Sequence, residues 1–593
     1  MKRNKTCLLM GVLSISSMVF SFGPKTVVSP RSHSFFAPLE HAGWDNIIYN
    51  SDRDTTGATI AIAPFYQHSF HTNRITEALF GCNTLIFSGS QVVGRDATDI
   101  LADYWGLPSD YKSEVQFDPT IVSFLMDFNT IINLDGVTPG LFAQVHLPMV
   151  QTKWDLRLVE CTVDAGTTFT SYPAGYFAAD AIELSELTVG EHAPKTVRQA
   201  FEGKAVFGDM RDPLKYGKIF GRQNESRVSD LRLALGYNFL LREHAHLECS
   251  IRAAAPTGTL REAEFLFEPI VGNDHHWELG VGVSGHVDLW CDEERDRKLG
   301  FFLDGIVTHM FASTQKRSFD MCNNGNGSRY MLLQKMADPV VGLNVGLAPD
   351  NVISPTQYQG RLVPAINVTT LDAKIAIGVQ AELLAKLNYY RRGFECEVGY
   401  NLWARSKEKL QSRDCIPTCY AVKGDAQVYG FTNPGETPVA LAATQSKATI
   451  HGGQAVTDAA FPGLNSGNFN SGYEFANINA DSIANASDTA GTALNQLTLA
   501  DANRLGFSQV AVRTSNPPVL LTNDDIDECS ALLPRAISHT IYFSFSYALK
   551  RDLGLIPYIG GGVFTEFAPD CFVQNSALSN WGIWLKMGVS FGQ

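Results

Sequence analysis

An apolar row, Trp277, Leu279, Val281, Val283, Val287 and Leu289, alternates residue by residue with Glu278, Gly280, Gly282, Ser284, His286 and Asp288. An extended strand points successive side chains to opposite faces, so this run has one apolar face and one polar or glycine face. The same period recurs in Ile375, Ile377, Val379, Ala381 and Leu383 against Lys374, Gly378, Gln380 and Glu382. It returns in Cys396, Val398, Tyr400 and Leu402 against Glu395, Glu397, Gly399 and Asn401, and finally in Trp581, Ile583, Leu585, Met587, Val589 and Phe591. Followed along the chain, the alternation predicts about twelve strands, within bounds of roughly 10–14. They lie near 57–68, 119–132, 140–154, 230–241, 246–254, 276–290, 299–312, 372–387, 394–404, 538–549, 555–567 and 580–591, with Leu85 to Ser88 as an additional candidate.

The connections between these runs alternate strictly between short and long. Asn133–Pro139, Arg242–Ala245, Cys291–Lys298, Asn388–Gly393 and Lys550–Gly554 are short, whereas 69–118, 155–229, 255–275, 313–371, 405–537 and 568–579 are long. A soluble β-sandwich has no reason to sort its connections by parity. A transmembrane barrel does, with tight periplasmic turns at one end and extended loops at the other. The expected fold is therefore an all-β, antiparallel transmembrane β-barrel, because in lipid only a closed sheet pairs every backbone group. Trp277, Phe311 and Trp581 fall in apolar phase at the loop ends of their strands, and Phe239, Tyr547 and Phe591 at the turn ends. Two interfacial aromatic girdles are expected there.

The N-terminus reads as an export signal over 1–23: Lys2, Arg3 and Lys5 precede an apolar stretch from Cys7 to Phe20, followed by small residues at Ser21 and Gly23. Residues 24–56 then form either a periplasmic N-terminal segment or a short plug, and 57–593 the barrel, with a large outer loop at about 405–537. No run beyond the leader is long enough for a membrane-spanning helix. With 47 basic against 61 acidic residues, a net charge of −14 leaves no cationic excess for nucleic acid. The mature cysteines Cys82, Cys161, Cys249, Cys291, Cys322, Cys396, Cys415, Cys419, Cys529 and Cys571 permit disulfides in an oxidising compartment, with the pairing left open.

The ending Lys586-Met587-Gly588-Val589-Ser590-Phe591 resembles the closing strand of Gram-negative outer-membrane barrels, although Gly592 and Gln593 follow the aromatic. Ala255-Pro256-Thr257-Gly258, followed by Trp277-Glu278-Leu279-Gly280, is similar to strand junctions in porin-like channels. The resemblance implies outer-membrane lipid as surroundings and recognition of the last strand by the barrel assembly machinery.

The polar rows give the candidate pore lining: Asp127, Arg232, Glu248, Arg252, Glu278, His286, Asp304, Lys374, Gln380, Glu382, Glu397, Glu566 and Lys586, with Asn238, Ser250, Ser284, Asp288, Lys386, Glu395 and Asn401 on the same faces. Carboxylates outnumber cations there, and a low-dielectric wall of that kind concentrates cations. The expected function is a porin-like channel for passive diffusion of small cationic or neutral solutes, with inward glycines leaving open volume. Two alternatives stand beside it: a structural or surface-binding barrel that acts through its loops, and a transporter of hydrophobic compounds, against which the polar inner rows count. Neither catalysis nor a cofactor or metal is expected. Ser284 and His286 share the inward face, His68, His71, His275 and His276 lie at the rim, and Asp524, Asp525, Asp527 and Glu528 lack the spacing of a calcium loop.

Overall fold

The computed structural model describes residues 23–43, 56–89, 92–166, 194–208, 210–336, 358–423, 429–430, 439–440, 448–452, 520–549, 555–569 and 574–591. The expected leader, apart from Gly23, and most of the interior of the 405–537 loop lie outside these residues, as does Cys571.

Twelve antiparallel strands close into one barrel: β1 Gly57–Phe70, β2 Thr120–Asn133, β3 Leu141–Asp155, β4 Leu231–Arg242, β5 Ala245–Ala255, β6 Glu278–Asp292, β7 Arg297–Ser318, β8 Thr370–Arg391, β9 Phe394–Arg405, β10 Ala536–Ala548, β11 Leu555–Phe567 and β12 Ser579–Phe591. Each pairs with its sequence neighbours, and β1 pairs with β12 from Ala58↔Phe591 to Phe70↔Ser579, which removes the last edges. Short turns join the strands at the periplasmic end. The β8–β9 hairpin turns on Arg392 and Gly393, with φ of 49° and 85°, the left-handed pair that a two-residue hairpin requires.

The outward faces are apolar and exposed. Leu235, Ile251, Val281, Val398, Ile541, Val563 and Ile583 all point away from the lumen. Trp277, Phe311 and Trp581 ring the loop end, and Phe239, Tyr547 and Phe591 the turn end, all on the exposed outer surface. Such a belt is stable against acyl chains and not against water. The chain is thus a transmembrane barrel of the outer-membrane type. Among the described residues no helix is long and apolar enough to cross a membrane.

Inside, the glycines do not leave open space. An added Cβ would lie 2.2 Å from the Phe142 ring at Gly236, 2.2 Å from Tyr542 at Gly399 and 2.3 Å from Trp584 at Gly562. Each aromatic is the glycine's direct cross-strand partner and lies over it, so the missing side chain is replaced by a neighbour's ring.

The long loops fold into a cap over the outer end. It holds a helix at Asn73–Phe80, a four-stranded sheet built from Thr84–Ser88, Ile100–Leu101, Lys112–Phe117 and Leu158–Asp164, and a second sheet from Leu332–Met336, Tyr358–Pro364 and Tyr420–Val422. The candidate strand at Leu85 to Ser88 therefore exists but belongs to the cap. A large apolar core, including Phe87, Leu107, Tyr111, Phe201, Tyr330 and Leu333, makes this cap a folded body.

Candidate functional site: the filled lumen and the cap cavity

Residues 23–43 thread the barrel from the cap to the periplasmic end. At the top, Lys25 N–H donates to Ala78 O (2.6 Å), Thr26 N–H to Ser530 O (3.1 Å) and Lys25 Nζ to Cys529 O (2.8 Å). Further in, Ser29 donates to Asp274, while Arg261 bridges Val28 O and Asp274 (3.0 and 3.1 Å). Burial opposes the charge on Asp274, but the Arg261 guanidinium and the Ser29 hydroxyl outweigh it and hold the carboxyl down at about 2.

At mid-barrel, Arg31 pairs with Glu382 and, at 3.4 Å, with Glu566. Arg232 donates to Ser34 O (2.9 Å) and covers the Phe35 ring, its guanidinium carbon 4.4 Å from the ring centre. A five-residue helix, Ala37–His41, follows, with Pro38 in its first turn. Glu382 accepts from the helix's first N–H at Ala37 (2.9 Å). At the other end Lys586 donates to the carbonyls of Leu39, Glu40 and Ala42 (3.1, 3.1 and 2.9 Å), and Lys386 to that of His41 (3.1 Å). An acid at the start and two ammonium groups at the end match the helix dipole and satisfy carbonyls that would otherwise be orphaned. Arg252 and Gln144 bind Glu40 (2.8 and 3.0 Å), and Glu397 accepts from Gly43 N–H (3.0 Å).

Most of the candidate lining residues are buried on the inner wall, among other protein groups. Asp127 bonds His146 (2.5 Å), and Glu278 accepts from Asn273 and Thr308 (2.8 and 3.1 Å). Asp304, Glu248 and Gln380 are buried on the inner wall, as are Ser250, Ser284, Glu395 and Asn401. His286 sits beside His246 and stacks on Phe302 with ring centres 4.8 Å apart; Asp288 and Asn238 lie nearer the turn end.

Lys374 is the correction within this set. It is exposed on the outer surface, whereas Ile375 and Ile377, read as lipid-facing, are buried inside at 0% and 1% exposure. The cause is a bulge in β8, where the Ser406 hydroxyl accepts from the N–H groups of both Gly378 and Val379 (2.9 and 3.0 Å), opposite irregularities in β7 between Thr308 and Ser313. One extra residue inverts the side-chain phase beyond it.

The acidic run has local structural work. Asp525 accepts from Thr522 N–H (2.7 Å), Asp527 accepts from Cys529 N–H (3.0 Å), and Glu528 pairs with Arg413 (3.1 Å). No disulfide joins the described cysteines.

Sequence reasoning missed the segment's own contributions, above all Arg31, Ser32, Ser34 and Glu40. Only Arg31 had a signal, the acidic excess of the inner rows, which needed a counter-cation from elsewhere in the chain. It also missed a cavity of about 520 Å³ in the cap, beside the outer end of the segment. Leu79, Phe80, Leu85, Ile86, Ile100 and Trp105 form its apolar wall, with Pro24 at its edge. Three of the polar side chains around it are engaged: Arg329 pairs with Asp320 (2.8 Å), Asp99 accepts from Ser88 (2.7 Å), and Tyr330 donates to Gly217 O (2.7 Å). Burial pushes the Tyr330 phenol up to about 12 and the His451 imidazole down, so both stay neutral.

No protein-family model and no curated protein sequence matches the chain. Among solved structures it is similar to an outer-membrane channel of Pseudomonas putida F1, with 9% identity, a TM-score of 0.32 and coverage of 91% of this chain and 99% of that one. It is also similar to the transport unit of the autotransporter AIDA-I of Escherichia coli (6% identity, TM-score 0.27, 92% and 95% coverage) and to the toluene transporter TbuX of Ralstonia pickettii (6%, 0.23, 90% and 89%). Identities this low do not carry function across.

The expected porin-like channel for passive diffusion of cationic or neutral solutes is corrected here. Three of the carboxylates assigned to cation selection, Glu382, Glu397 and Glu566, are bound to the chain's own N-terminal segment, which occupies the path. The polar inner rows do not count against hydrophobic cargo, because the apolar cavity lies in the cap and not in the barrel.

Proposed function

We propose that the chain is an outer-membrane transporter of small hydrophobic compounds, captured in the cap cavity and passed inward when the N-terminal segment shifts. The observation that carries this reading is an apolar cavity of about 520 Å³ placed against Pro24, at the head of the segment that fills the lumen. That volume is in the range of small-molecule sites. An apolar solute gains roughly 25 cal/mol per Å² of surface removed from water on entering such walls. Because the neighbouring charges are already paired, the cavity suits a neutral solute better than an anion. The Trp105 indole N–H has no acceptor among the described residues and would serve a single polar substituent. Export through the leader at 1–23 and insertion by the assembly machinery acting on the closing strand belong to the same proposal.

Uptake of radiolabelled naphthalene into vesicles carrying the full-length protein tests it. The protein should accelerate uptake over empty vesicles, and Phe80→Glu, which puts a charge on the cavity wall, should remove most of the gain. Uptake equal to that of empty vesicles, or unchanged by Phe80→Glu, sinks the reading and leaves a surface-binding barrel that acts through its cap.

A further inference from the structure

The phase inversion in β8 has a consequence on the outside of the wall. Below the bulge, Leu383 and Val379 face outward; above it, the outward position falls to Lys374. The short strand Glu408–Arg413 pairs with this upper part of β8, placing Lys409 opposite Ala376 and Ser412 opposite Lys374. Glu408 points inward to Arg317 (3.2 Å), so Lys407 and Lys409, its neighbours on either side, point outward, and both are exposed.

The height of these lysines follows from the register. Met310 pairs with Ile377 and Thr314 with Lys374, so the outward Phe311 of the upper aromatic ring is nearly level with Ala376 and Lys409. Lys374 stands two residues further out, about 7 Å along the strand. The three ammonium groups therefore begin where the hydrocarbon ends, on stems long enough to reach toward the interface. Among the described residues none of the three makes a salt bridge, whereas the nearby Lys316 is paired with Asp372 (2.9 Å). In a chain of net charge −14, this is a local cationic surface at the level of lipid headgroups.

We infer that Lys374, Lys407 and Lys409 form a docking surface for the phosphate of an outer-leaflet lipid, held against the wall between β7 and the Glu408–Arg413 strand. The lipid is recognised by its anionic phosphate at the interface and by acyl chains lying on Phe311, Val307 and Val379 below. This surface is independent of the cargo proposed above.

Native mass spectrometry of the full-length protein released from phosphatidylcholine nanodiscs containing phosphatidylglycerol tests the inference. Retained phosphatidylglycerol should fall roughly tenfold in the K374Q/K407Q/K409Q variant, with retained phosphatidylcholine unchanged. A control variant, R222Q/R227Q, alters exposed arginines elsewhere on the outer end and should retain the lipid. Millimolar inorganic phosphate should not strip the lipid, since it lacks the acyl contact. The inference is overturned if the triple variant keeps its phosphatidylglycerol, if the control loses as much, or if inorganic phosphate competes it away.

Discussion

Lys586 shows how one residue of the inner row acquires its role. Its ammonium group donates to the carbonyls of Leu39, Glu40 and Ala42. Lys586→Met keeps the length and removes every donor, leaving buried carbonyls unsatisfied at about 1–3 kcal/mol each before relaxation. We expect the variant to unfold at lower temperature on heated gels and to show channel openings in planar bilayers that the unaltered protein lacks. Unchanged melting together with electrical silence would contradict this. Asp274 gives a pH signature. Its carboxyl is held down at about 2 in the folded chain, against about 4 when unfolded, so the stability it contributes is present above pH ~4 and is lost as pH falls toward 2. Asp274→Asn should flatten that part of the stability profile, measured as midpoint temperature against pH. A variant that loses stability between pH 4 and 2 as steeply as the parent would show that the linkage lies elsewhere.

Among the elements, the strands were legible in sequence because a half-buried strand writes its two faces into alternate residues. All twelve lie where the alternation puts them, from Gly57–Phe70 to Ser579–Phe591. The alternation misassigns Lys374, Ile375 and Ile377 in β8 above Gly378, because a bulge is set by Ser406 reaching two backbone N–H groups, a contact with no signature in local periodicity. The N-terminal segment was harder to read. Its five-residue helix is too short to show a helical period, and it is stabilised by Glu382, Lys386 and Lys586 from distant strands. Deleting residues 24–43 is expected to leave a folded barrel with steady ion conductance, since the closing β1–β12 ladder begins only at Ala58. A deleted protein that folds and stays silent would mean that the cap, not the segment, closes the path.

For the whole molecule, sequence alone determined the closed antiparallel barrel and the sorting of its connections into short turns at one end and long loops at the other. These follow from local alternation and from the parity of connection lengths, and both must be written in the chain if lipid and water are to meet the right side chains. The tertiary structure decided whether the inside is open. The inner row's charges are the same in an aqueous pore and in a packed core; what differs is the partner, and here Arg31, Glu40 and the backbone of residues 37–43 supply it. The cap cavity was likewise beyond the sequence, because its wall joins Leu79 and Trp105 from one loop with Phe201, Tyr330 and Ile450 from three others. Periodicity reports which way a side chain faces, whereas what it faces depends on residues hundreds of positions away brought together by closure of the sheet.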